Sequence, residues 1–106
     1  MIEITINRHT NNNRIFKYCV CGHAEDLICN SVSVLTQTPV MGLKWLGYKP
    51  YTLRIKEKGF FEVWTESEFD ERAQVLLETM LLGLQSLERQ YPDEIVIKTQ
   101  MSVSVW

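Results

Sequence analysis

A chain of 106 residues is long enough to bury a core of its own and short enough for one domain, residues 1–106. With 23% charged residues and a formal net charge of −2, it lacks the basic excess that attracts nucleic acid. No apolar run reaches the ~20 residues of a membrane-spanning helix. Three cysteines without a signal-like N-terminus point to reduced thiols in a cytoplasm.

Ile2, Ile4 and Ile6 alternate with charged and polar residues, which predicts a half-buried strand over Ile2 to Arg8. The asparagines within Thr10 to Asn13 suit a turn. Arg14 to Cys21 reads as a second strand, paired with the first as a hairpin, with Phe16, Tyr18 and Val20 on one face and Ile15, Lys17, Cys19 and Cys21 on the other. The alternation stops at Gly22, His23 follows, and a helical pattern begins near Asp26. That helix should run towards Gly47, a C-terminal stop. Ile28, Val32, Leu35 and Leu43 line its inner stripe, and Pro39 should kink or break it.

Tyr51 to Lys56 and Phe60 to Thr65 predict a second hairpin around Glu57-Lys58-Gly59. Its aromatic residues, Phe60, Phe61 and Trp64, are assigned to packing in preference to a substrate groove. Ser67, with Asp70 three residues on, resembles a capping box, and Glu68, Asp70 and Glu71 suit the positive end of a helix. Phe69, Ala73, Leu76, Leu77, Met80, Leu84 and Leu87 recur at helical spacing to about Gln90, before Pro92. Ile95, Ile97, Met101, Val103 and Val105 alternate in a long final strand. The order ββαββαβ predicts an α+β two-layer sandwich, with two helices packed on a mainly antiparallel sheet.

All three cysteines and one of the two histidines fall between Cys19 and Cys29. If Asp26 caps the helix, Cys29 lies at its third position. There the partial positive charge of the helix start favours a thiolate. A nearby imidazole, His23, would complete a nucleophile–base pair. Ser33 falls one turn on, on the same face as Cys29, and first-turn N–H groups can stabilise an oxyanion. On pattern alone, a cysteine near a helix start is more often a small buried hydrophobe. A zinc site of Cys19, Cys21, His23 and Cys29 is disfavoured, because the spacing differs from the usual paired-cysteine knuckles. No cofactor and no metal is expected.

Gly22-His23-Ala24, Asp26-Leu27-Ile28-Cys29, Val32-Ser33-Val34-Leu35 and Gln37-Thr38 together resemble the signature of the ribosomal-processing cysteine proteases, the Prp family. The resemblance extends over most of the chain. It implies a bacterial, cytoplasmic cysteine endopeptidase that removes the N-terminal extension of the large-subunit ribosomal protein numbered twenty-seven. It also implies His23 and Cys29 as catalytic dyad, supported by Gly22, Asp26 and Ser33, in a homodimer; the charge and the lack of a long apolar run add the expectation of no direct nucleic-acid or membrane contact. Two other readings stand beside it: a non-catalytic ribosome-assembly binding module, and a small zinc-binding domain. Family members carry a longer, glycine-containing loop where this chain has Glu25 alone. A lid of further residues between about Ala24 and Asp26 is therefore expected, although the span from His23 to Asp26, at most about 10 Å, also permits a tight connection.

Overall fold

Two hairpins and two amphipathic helices follow from the sequence pattern, and the structure, a computed structural model, assembles them in that order. It describes residues 1–65 and 70–103. Strands β1 (Ile2–His9) and β2 (Ile15–Gly22) precede helix α1 (Asp26–Trp45). Strands β3 (Tyr51–Ile55) and β4 (Phe60–Trp64) precede helix α2 (Glu71–Gln90), and β5 (Ile95–Ser102) follows it. The sheet order is β3-β4-β2-β1-β5, antiparallel throughout except for the parallel pair β1–β5.

Both helices cover one face of this sheet, and the core lies between the two layers. Ile2, Ile4 and Ile6 of β1, Tyr18 of β2, Val63 of β4 and Ile95 of β5 are buried there. Ile28, Val32, Val40 and Leu43 of α1 and Ala73, Leu77, Met80 and Leu84 of α2 meet them. Removing that apolar surface from water is the dominant stabilising term.

On β2 the simple alternation fails. Asn7 pairs with Lys17 but Arg8 pairs with Ile15, so Phe16 is an extra residue, a β-bulge. The bulge shifts the phase: Ile15 joins Tyr18 and Val20 in the core, while Phe16 turns to the other face and stacks on His9 at 4.2 Å between ring centres. Two α2 bonds hold the bulge from the core side. The Ile15 N–H donates to the Gln74 side chain, which donates back to the Ile15 carbonyl, each at 2.9 Å.

Helix α1 does not break at Pro39. It continues for 20 residues because the inner stripe is buried on both sides of the proline, by Val32 and Thr36 before it and Val40 and Leu43 after it. The stop at Gly47 is as expected. Gly47 (φ +97) donates to Lys44 and Tyr48 donates to Leu43, a Schellman cap. At the start of α2 the N-cap is Asp70, whose carboxylate accepts from the Arg72 and Ala73 N–H groups. The Ser67 member of the expected capping box lies outside the described residues, as do Glu68, Phe69 and Val105. In β5 only the first half lines the core: Ile95 is buried, whereas Met101 is 50% exposed.

Candidate active site

Strand β2 ends at Gly22, whose backbone turns at φ +106. That turn takes the chain out of the sheet and ends the side-chain alternation. Cys19 and Cys21 stay on the face away from the helices, where Cys19 lies opposite Thr5 and Glu62. His23, beyond the turn, enters a cavity of about 200 Å³ on the helix side. A zinc site shared by these residues is thereby split across the sheet. Among the described residues no group of three or more potential ligands is close enough to hold a metal ion. Burial pushes the Cys19 thiol up, and Cys21 is exposed.

Three of the other expected site residues reach the same cavity. Gly22 forms its rim, Cys29 comes from the first turns of α1, and Ser33 follows one turn later. Asp26 is exposed at the helix start and does not line it. The second hairpin supplies the opposite wall through Arg54, Gly59, Phe60 and Phe61. Assigning both phenylalanines to packing alone missed this. Phe61 packs against the core and also faces the cavity, where the Arg54 guanidinium sits 4.9 Å from its ring. The signal available in the sequence was a hairpin pairing Arg54 with Phe61.

The connection from His23 to the helix is as short as the sequence reads. No residues intervene between Ala24 and Asp26: the chain passes directly through Glu25, which occupies the N-cap position without a side-chain cap bond. Its carbonyl accepts from the Ile28 and Cys29 N–H groups, both at 3.0 Å. The expected lid is therefore absent. Asp26 is the first helical residue instead of the cap, where its carboxylate still suits the positive helix end. Cys29 accordingly sits one position deeper than counted, and its own N–H is already engaged.

The sulfur of Cys29 lies over that tight connection. It accepts from the Ala24 N–H at 3.3 Å and, as a thiol, donates to the Ala24 carbonyl at 3.2 Å. The His23 carbonyl accepts from the Met1 ammonium at 2.9 Å. The imidazole is exposed, and no hydrogen bond joins it to Cys29 among the described residues. Cys29 and His23 thus share one open cavity without a hydrogen bond between them among the described residues. No described helix is long and apolar enough to cross a membrane.

Comparison with known proteins adds the family. The model of the family described as Cysteine protease Prp matches residues 1–96. The Ribosomal processing cysteine protease Prp of Bacillus subtilis (strain 168) is 32% identical, with 95% of this chain and 99% of that protein covered. Its alignment spans 113 positions against the 106 residues here, so the relative has residues with no counterpart in this chain. Among solved structures, the ribosomal processing protease Prp of S. aureus with a covalently linked product peptide superposes with a TM-score of 0.86 at 25% identity, covering 94% of this chain and all of that one. The same S. aureus protease with a substrate peptide gives 0.87 at 22% identity, with the same coverage. SMU.848 of Streptococcus mutans gives 0.84 at 24% identity, covering 96% of each chain. On the strength of the family match over residues 1–96, this chain belongs to the cysteine protease Prp family.

Proposed function

We propose that this chain is a ribosomal-processing cysteine endopeptidase in which His23 and Cys29 form the catalytic dyad. Its substrate would be the N-terminal extension of the large-subunit ribosomal protein numbered twenty-seven. The observation that carries the reading is the shared cavity: a histidine and a cysteine converge beside the start of α1, in a chain of a cysteine protease family. The peptide complexes of the S. aureus protease support a peptide substrate for the same fold.

The chemistry follows from these two side chains. His23 takes the proton of the Cys29 thiol, and the thiolate attacks the scissile carbonyl carbon. The tetrahedral oxyanion collapses to a thioester, the C–N bond breaks, and the imidazolium gives its proton to the leaving amine. Water, deprotonated by His23, then hydrolyses the thioester and returns the thiol. Before the first step the sulfur must leave its bond to the Ala24 carbonyl, because a thiolate has no proton to donate there. Ser33 lies one turn along the same wall and supports the thiol or the bound backbone. Asp26 stabilises the helix start, and the turn at Gly22 aims His23 into the cavity. Thiol and imidazole suffice for this reaction, so no cofactor is invoked.

On the same reading the 106 residues act as one cytoplasmic domain, assembled as a homodimer and without nucleic-acid contact. The decisive experiment is incubation with a peptide spanning the extension junction, followed by mass spectrometry. A single cleavage lost in Cys29→Ala supports the proposal, and an intact peptide refutes it. The short connection favours one rival, a binding module that keeps the fold without cleaving. Peptide retained without turnover would identify that case.

A further inference from the structure

The tip of the β3–β4 hairpin is a single 3-10 turn, Lys56–Lys58, closed by Gly59. Gly59 has φ 58 and ψ 36, the left-handed region that side chains other than asparagine and aspartate seldom enter. A second constraint is added there. A β-carbon on Gly59 would collide with the Gly22 carbonyl oxygen and would stand 2.8 Å from Cε1 and 3.0 Å from Nε2 of His23. Gly47 supplies the contrast: it is also left-handed, at φ +97, yet a β-carbon there meets nothing within 4 Å.

We infer that Gly59 is a positioning residue for the reaction: its bare Cα is the wall on which the His23 imidazole rests inside the Cys29 cavity. The inference rests on the reading of His23 as the base. His23 belongs to a short connection, is exposed, and has no hydrogen bond from its ring to hold it among the described residues. Packing against the hairpin tip is what restricts its rotamers. A methyl group at position 59 pushes both the ring and the Gly22 carbonyl, and so moves the base relative to Cys29. A displacement of about 1 Å can lower a rate by about a hundredfold.

The chain has two histidines, so the ring resonances of His23 and the buried His9 are readily told apart by NMR. The wild-type protein should show a nuclear Overhauser effect between the Gly59 α-protons and the His23 Cε1 proton. In Gly59→Ala the His23 resonance should move while that of His9 stays. Cleavage of the junction peptide should fall about a hundredfold in kcat/KM. Gly47→Ala, which imposes left-handed strain without touching the ring, should leave both readings unchanged. Should Gly59→Ala fail to fold, Gly59→Asn tolerates the backbone while keeping the β-carbon, and the wild-type Overhauser effect still decides. Its absence, or an unmoved His23 resonance, overturns the inference whatever happens to cleavage. A moved resonance with unchanged cleavage overturns instead the role of His23 as base, and the positioning role with it.

Discussion

The buried hydroxyl of Tyr18 donates a 2.6 Å hydrogen bond to the backbone carbonyl of Thr36, tying the central strand β2 to the helix that carries Cys29. A buried bond of this kind contributes about 1 kcal/mol, so Tyr18→Phe should lower unfolding stability by that amount in urea titrations. Burial also raises the Tyr18 phenol above its ordinary range. A raised folded pKa means stability that is complete below the unfolded value, near 10, and is lost as pH rises beyond it. The gap between wild type and Tyr18→Phe should therefore narrow above pH ~10. A gap that widens there would contradict the assignment.

Cys29→Ala and His23→Ala should each abolish cleavage of a junction peptide while leaving far-UV circular dichroism unchanged. Cleavage that survives in Cys29→Ala removes Cys29 from the mechanism. Cys19→Ala and Cys21→Ala should cut normally, since both thiols lie on the face away from the cavity. Alkylation followed by mass spectrometry should label exposed Cys21 before Cys19, whose thiol burial raises.

Asp70 sets an acid limit on helix α2. Its carboxyl is lowered to about 2, first by a bond to the Tyr48 side chain, then by the Ala73 N–H and by Arg72. A depressed folded pKa gives stability that is present above the unfolded value, near 3.9, and disappears as pH falls towards 2. Wild type should lose thermal stability across that window, and Asp70→Ala should start lower and lose less. Parallel curves for the two proteins between pH 5 and about 2 would rule out this role.

The proposed homodimer has its own check. Strand β5 is an edge of the sheet, with Met101 50% and Val103 75% exposed at its end, and exposed strand edges invite pairing. Light scattering at micromolar concentration should give twice the chain mass. A monomer mass at that concentration counts against it.

Ile2, Ile4 and Ile6 made β1 legible, because a period of two has one meaning in a half-buried strand. The ββαββαβ order was equally plain from the spacing of the remaining runs. Phe16 was not: a bulge adds a residue without a compositional mark, and the side-chain bonds of Gln74 that fasten it come from 59 residues away. Asp26 was read as a cap because aspartate suits that position, yet Glu25 occupies it without any side-chain bond, as backbone geometry can do unaided. Pro39 suggested a kink or a break, yet the helix runs on through it, where burial on both sides outweighed the missing N–H. His23 and Cys29 stood out as a pair through motif resemblance. Their cavity wall did not, since Gly59 and Phe61 reach it only through the pairing of β4 with β2.

The parallel pairing of β1 with β5 carries a consequence for how the molecule forms. Ile2 lies beside Ile95 and Ile4 beside Ile97, so the first strand receives its second neighbour from the far end of the sequence. During synthesis, one side of β1 must wait until residues 95–102 have been made. Contacts of such long sequence separation are slow to close, because the loop entropy is lost before the ladder compensates for it. The β1–β2 hairpin, whose register needs only the first 22 residues, is free to form early. Attachment of β5 is then the late step, and on a ribosome the sheet would close only once residues 95–102 have been made.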